Sequence, residues 1–146
     1  MGASSPLLAD EQKPPNSQER FVPRFNDMMV ATQLRHFKLW YAGLVQNWPL
    51  ANYELTQIRN AIVDIERLYA DKGGSDMSKM MTPAADDLAD AIRAKDSVKF
   101  SNAYSKLTAG CNSCHEAAGF GFIKIREPRL SPLETSPFTD ESFSGK

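Results

Sequence analysis

A chain of 146 residues with a net charge of −1 has room for one domain with a bundle-sized core and no more. Its acidic and basic residues are interspersed, which excludes the basic stripe of a nucleic-acid binder and the polybasic patch of an anionic-membrane binder. No run of about 18 apolar residues codes a membrane span, and the start Met1-Gly2-Ala3-Ser4-Ser5-Pro6 has neither the basic nor the apolar region of a signal peptide.

Residues 1–22 carry Pro6, Pro14 and Pro15 among small and charged groups and read as a flexible leader. From Pro23 to about Gln46 the spacing predicts a first helix, with Phe25, Met29, Thr32, His36 and Gly43 on one face. A neighbouring stripe holds Val30, Leu34, Phe37, Tyr41 and Leu44. Asn47-Trp48-Pro49 breaks the pattern. A second helix then carries Leu55, Ile58, Ile62 and Ile65 and stops at Gly73-Gly74. Thr82 followed by Pro83 predicts the start of a third, shortest helix that buries Leu88, Ala91 and Ile92. Asp96-Ser97 caps a fourth, whose stripe of Phe100, Tyr104, Leu107, Cys111 and Cys114 ends at Gly119. Residues 122–125 read as a short extended segment, and residues 126–146, with Pro128, Pro132 and Pro137, as an extended tail over the surface. Four amphipathic helices joined by short links predict an all-α, antiparallel four-helix bundle over residues 23–125.

The two cysteines stand three apart, too close for a structural disulfide framework, and His115 follows the second. Cys111-Asn112-Ser113-Cys114-His115 is the attachment signature of haem c: two thiols add across the porphyrin vinyl groups and the next residue offers its imidazole to iron. On a helix the three side chains share one face, as a flat macrocycle requires. A thiol–disulfide exchange pair belongs at a helix start, whereas this one lies near a helix end. Zinc would need two further ligands, and outside the motif His36 is the one remaining His or Cys. No nucleophile–base set or phosphate loop is evident, and the acidic residues of the second and third helices read as solvation.

Here 110 residues precede the motif, which sits at the end of the fourth helix. That placement resembles the cytochrome c′ and cytochrome c-556 family of four-helix-bundle cytochromes, over about Phe25 to Phe122, with Cys111 to His115 as its sharp motif. The resemblance implies one covalent haem c, His115 as the proximal ligand, and a distal residue from the first helix, apolar in one branch and methionine in the other. His36 is the expected distal ligand here, with Met29 second and an open site third; matching levels on antiparallel helices at ~1.5 Å per residue favours Met28 and Met29. Arg35, with Lys38, is expected to meet the haem propionates, or else to lie on a solvated face. Trp40, Trp48, Phe100 and Tyr104 read as core, and Phe122 as a cover for a haem edge or a hydrophobic clamp.

The expected function is a monohaem electron carrier with six-coordinate, low-spin iron, serving redox partner proteins. The alternatives are a gas-binding or sensing module with an open distal site and, more weakly, peroxidase activity with His36 handling protons. The resemblance also implies periplasmic assembly, with the chain as a processed form, and homodimerisation through the first two helices.

Overall fold

The computed structural model describes residues 21–72 and 76–128, so the predicted leader, the Gly73-Gly74 stop and most of the tail lie outside the described residues. Four helices follow in order: α1 (Phe25–Leu44), α2 (Trp48–Tyr69, extended by a 3-10 turn over Ala70–Lys72), α3 (Met77–Ala94) and α4 (Ser97–Ala117). Among the described residues there is no strand.

Contacts between side chains fix the direction of every packed pair. Phe25 at the start of α1 stacks edge-on against Tyr69 at the end of α2. Arg59 of α2 pairs with Asp86 of α3, and Glu66 of α2 with Ser78 nearer the start of α3. Lys106 of α4 pairs with Asp87 of α3, while Gly110 abuts Met81. His36 of α1 reaches Thr108 of α4, and Gly43 meets Phe100. As one partner's number rises the other's falls, so each helix runs antiparallel to those it packs against. The bundle expected from the sequence is the observed fold.

Leu39, Ala51, Ile65, Leu88, Tyr104 and Leu107 are completely excluded from solvent and form its centre. Burial of such side chains at about 1.5–3 kcal/mol each is the main force holding four otherwise marginal helices. The helix starts are set locally. Asn47 Oδ1 accepts from the Leu50 N–H at 3.2 Å, and Pro49 sits in the first turn of α2, where its missing N–H costs nothing. Asp96 Oδ1 accepts from the Val98 and Lys99 N–H groups at 3.1 and 2.9 Å, and the bond from Lys99 is the main reason its carboxyl titrates below the usual range. Gly43 allows α1 and α4 to approach: a Cβ there would lie 2.1 Å from the buried ring of Phe100.

One boundary differs from expectation. Thr82-Pro83 does not start α3, which begins at Met77 and runs through the proline. Met77 and Met81 are both buried, and with Ala85, Leu88 and Ile92 they continue one apolar stripe across the proline. Pro83 itself lies on the exposed face, and the Thr82 hydroxyl donates back to the Ser78 carbonyl instead of capping. Core burial here outweighs the hydrogen bond that proline removes.

Candidate functional site

At one end of the bundle the N-terminal turns of α1 and the C-terminal turns of α4 enclose a cavity of about 360 Å³. That volume falls in the range of small-molecule sites. Phe25, Met29, Val30 and His36 line it from α1, Cys111, Cys114 and His115 from α4, and Met77 from α3. The remaining wall comes from the chain beyond α4: Phe120, Phe122, Ile123 and Ile125.

That wall exists because the chain reverses. Gly119 ends α4 with φ +80°, a left-handed conformation costly for other residues, and the Phe120 N–H donates to the His115 carbonyl at 2.7 Å. A second turn, Ile123 N–H to Phe120 C=O at 2.8 Å, sends residues 123–126 back alongside α4. Lys124 pairs with Glu116 on the outside, and Ile125 is buried. The extended segment expected at 122–125 is therefore a strap across the end of α4, and Phe122 lines the cavity while remaining largely exposed.

His115 is buried, and its Nδ1 lies 2.9 Å from the Ile123 carbonyl oxygen. A carbonyl can only accept, so Nδ1 carries a proton, and the nitrogen left to ligate a metal is Nε2. A histidine that ligates a metal through one nitrogen commonly donates the other N–H to such a carbonyl, which fixes tautomer and orientation. Both thiols of the motif also face the cavity. Burial, with a smaller contribution from neighbouring Cys114, pushes the Cys111 thiol up to about 12, and burial raises Cys114 as well. Thiols held protonated at neutral pH are the opposite of what exchange chemistry selects. Among the described residues no three His, Cys, Asp or Glu side chains gather as a metal-binding group.

His36 also borders the cavity, but its ring is tied down. Nε2 lies 2.8 Å from Thr108 Oγ1 and Nδ1 lies 2.9 Å from the Tyr104 hydroxyl, which also donates to the His36 carbonyl at 2.9 Å. The rings of His36 and Tyr104 stack with centroids 4.4 Å apart. Burial lowers the His36 pKa to about 4, so the ring is neutral at pH 7, and neither nitrogen is presented to the cavity without losing a hydroxyl partner.

Levels along the helices separate His36 from Met29. His36 is level with Thr108; Met29 lies seven residues back along α1 and His115 seven residues on along α4. On antiparallel helices those steps run the same way in space, which sets Met29 level with His115 and leaves His36 about 10 Å deeper along the bundle.

Arg35 does not line the cavity. Its guanidinium is directed to Glu54 of α2 at 3.4 Å, and Lys38 pairs with the same carboxylate. Glu54 is fully excluded from solvent, and a buried carboxylate requires cations, so it draws both side chains to the α1–α2 interface. Arg35, expected to meet a haem propionate or to lie on a solvated face, is directed in this structure to Glu54. Sequence reading missed Asn112, Thr108 and Ile123, the residues that hold His115 and His36 in place. Asn112 lies inside the motif, but nothing in the spacing marks an inner position as structural.

No family model, curated protein or solved structure matches the chain.

Proposed function

We propose that the chain carries one covalently bound haem c, with thioether links to Cys111 and Cys114 and His115 Nε2 as the proximal iron ligand. The observation that carries this reading is the bond from His115 Nδ1 to the Ile123 carbonyl, which leaves Nε2 as the free donor on a cavity wall shared with both thiols. The apolar lining from Phe25, Val30, Phe120 and Ile125 suits a porphyrin face. When bound, the haem supplies a one-electron ferric–ferrous couple.

The chain's own residues then have separate tasks. The strap and α1 would shield a macrocycle bound in this cavity from water. Met29, level with His115, is the distal ligand favoured over His36, whose nitrogens are engaged elsewhere. Thioether ligation raises the potential relative to a bis-histidine pair. With Met29 as a ligand the haem would serve single-electron transfer between redox partner proteins rather than gas binding or peroxidase chemistry. Val30, Phe120 and Phe122 line the cavity and also face solvent, a small apolar surface beside the haem edge suited to transient docking. The likeness to the cytochrome c′ and c-556 family belongs to this reading, as does assembly in the periplasm, where this chemistry is performed.

Further along α1, Val30, Leu34 and Leu44 are exposed on one stripe with half-buried Phe37 and Tyr41 between them. An apolar stripe of that length is suited to a second copy of this chain. Among the described residues no helix is long and apolar enough to cross a membrane.

Absorption spectra of the ferric and ferrous protein, with and without carbon monoxide, test the electron-transfer role. The reading predicts a low-spin ferrous spectrum that carbon monoxide leaves unchanged. Rapid formation of a carbon monoxide complex would replace it with the open-site, gas-binding role.

A further inference from the structure

Between the two cysteines, Asn112 makes contacts that attachment chemistry does not need. Its Nδ2 donates to the Ile125 carbonyl at 2.8 Å, and its Oδ1 accepts from the Ile125 N–H at 2.7 Å. One side-chain amide thus satisfies both backbone groups of one residue, in the manner of a neighbouring strand. Two residues upstream on the same strap, the Ile123 carbonyl accepts from His115 Nδ1.

The two contacts share one geometry. In an extended chain the backbone polar groups of residues two apart point to the same side, and on a helix residues three apart share a face. Asn112 and His115 on α4 therefore meet Ile125 and Ile123 on the strap in matching order. The strap's side chains Ile123 and Ile125 are left to line the cavity. Lys124 also ties the strap to Glu116 of α4 from outside, and among the described residues Asn112 is the side chain bonded to the Ile125 backbone. The turn at Phe120–Ile123 fixes one end of the strap and Asn112 fixes the other.

We propose that Asn112 is a positioning residue for the proximal histidine: by clamping Ile125 it holds the Ile123 carbonyl on His115 Nδ1, which sets the tautomer, orientation and donor strength of the imidazole. This rests on the haem reading above as far as the iron is concerned, but the clamp is a property of the polypeptide. Holding Nδ1–H on a carbonyl makes Nε2 a stronger donor, which favours ferric over ferrous iron. Loosening the clamp should therefore raise the reduction potential. Loss of such an outer-shell partner commonly changes metal affinity about tenfold or more. If that falls on the ferric state, it corresponds to a shift on the order of 59 mV for one electron.

The test compares the intact chain with Asn112→Ala and Asn112→Asp. Asn112→Asp keeps the acceptor for the Ile125 N–H but sets an oxygen against the Ile125 carbonyl. Nitrogen-15 NMR of the His115 ring, readable with or without haem, is expected to show the Nδ1–H tautomer in the parent. In Asn112→Ala it should show a mixture of tautomers, together with faster amide exchange at Ile125, and Asn112→Asp should fall between. In haem-loaded protein the alanine variant should keep its covalent haem while its potential rises. Should Asn112→Ala fail to fold, the aspartate variant gives the same readouts. An unchanged His115 tautomer and Ile125 exchange rate in either variant overturns the clamp, as does an unchanged potential in haem-loaded protein. If the parent never takes up haem, the haem reading fails, and the tautomer and exchange measurements still decide the clamp.

Discussion

The ring of His36 lies against that of Tyr104, centroids 4.4 Å apart, with its Nδ1 2.9 Å from the same tyrosine's hydroxyl. This pairing, completed by Thr108, makes His36 a fastener between α1 and α4 and gives it a pH signature. Burial lowers its pKa from 6.5 to about 4, so the unfolded chain takes up a proton at a pH where the folded chain does not. The stabilisation from the neutral ring is complete above about pH 6.5 and is lost progressively as pH falls toward 4. The loss is roughly 3 kcal/mol at one unit per 1.36 kcal/mol. Urea unfolding at pH 7 and at pH 4 should show the parent losing about that much more stability than His36→Gln. Equal losses in the two proteins would contradict the account.

Met29 and His36 make opposite spectral predictions. Met29→Leu keeps the volume and removes the thioether, and should convert haem-loaded protein from low-spin to high-spin iron that binds carbon monoxide. His36→Gln should leave the spin state unchanged and lower stability instead, by about 1–3 kcal/mol for a broken buried hydrogen-bond network. High-spin iron in His36→Gln with an unaltered Met29→Leu spectrum would restore His36 as the ligand.

The apolar stripe on α1 predicts self-association. Sedimentation should find a dimer of the intact chain, and Leu34→Glu, a charge in the middle of the stripe, should weaken it at least tenfold. A parent that sediments as a monomer would leave the stripe without this role.

Much of the bundle could be read in the sequence because its signals are local. Asn47 with Pro49 and Asp96 with Ser97 mark helix starts by their own chemistry, and the stripe from Leu55 to Ile65 has the helical period. The start of α3 was not legible: Thr82-Pro83 has the chemistry of a helix start, and only burial of Met77 and Met81 against the rest of the core carries the helix through it. The motif names Cys111, Cys114 and His115, yet what orients them depends on contacts from residues that look ordinary in sequence. Thr108 closes on His36 across 72 positions, and Ile123 meets His115 only because the chain reverses at Gly119. Arg35 illustrates the reverse case. Its position beside His36 suggested service to the cofactor, but successive helical residues point about 100° apart, and that rotation directs Arg35 to Glu54 on another helix.

The most direct test of the central claim is the mass of the intact chain produced in cells that assemble haem c outside the cytoplasm, measured after denaturation. The account predicts the polypeptide mass plus one haem, resistant to denaturation and abolished when Cys111 and Cys114 are both replaced by alanine. A bare polypeptide mass, with any haem released on unfolding, would contradict it.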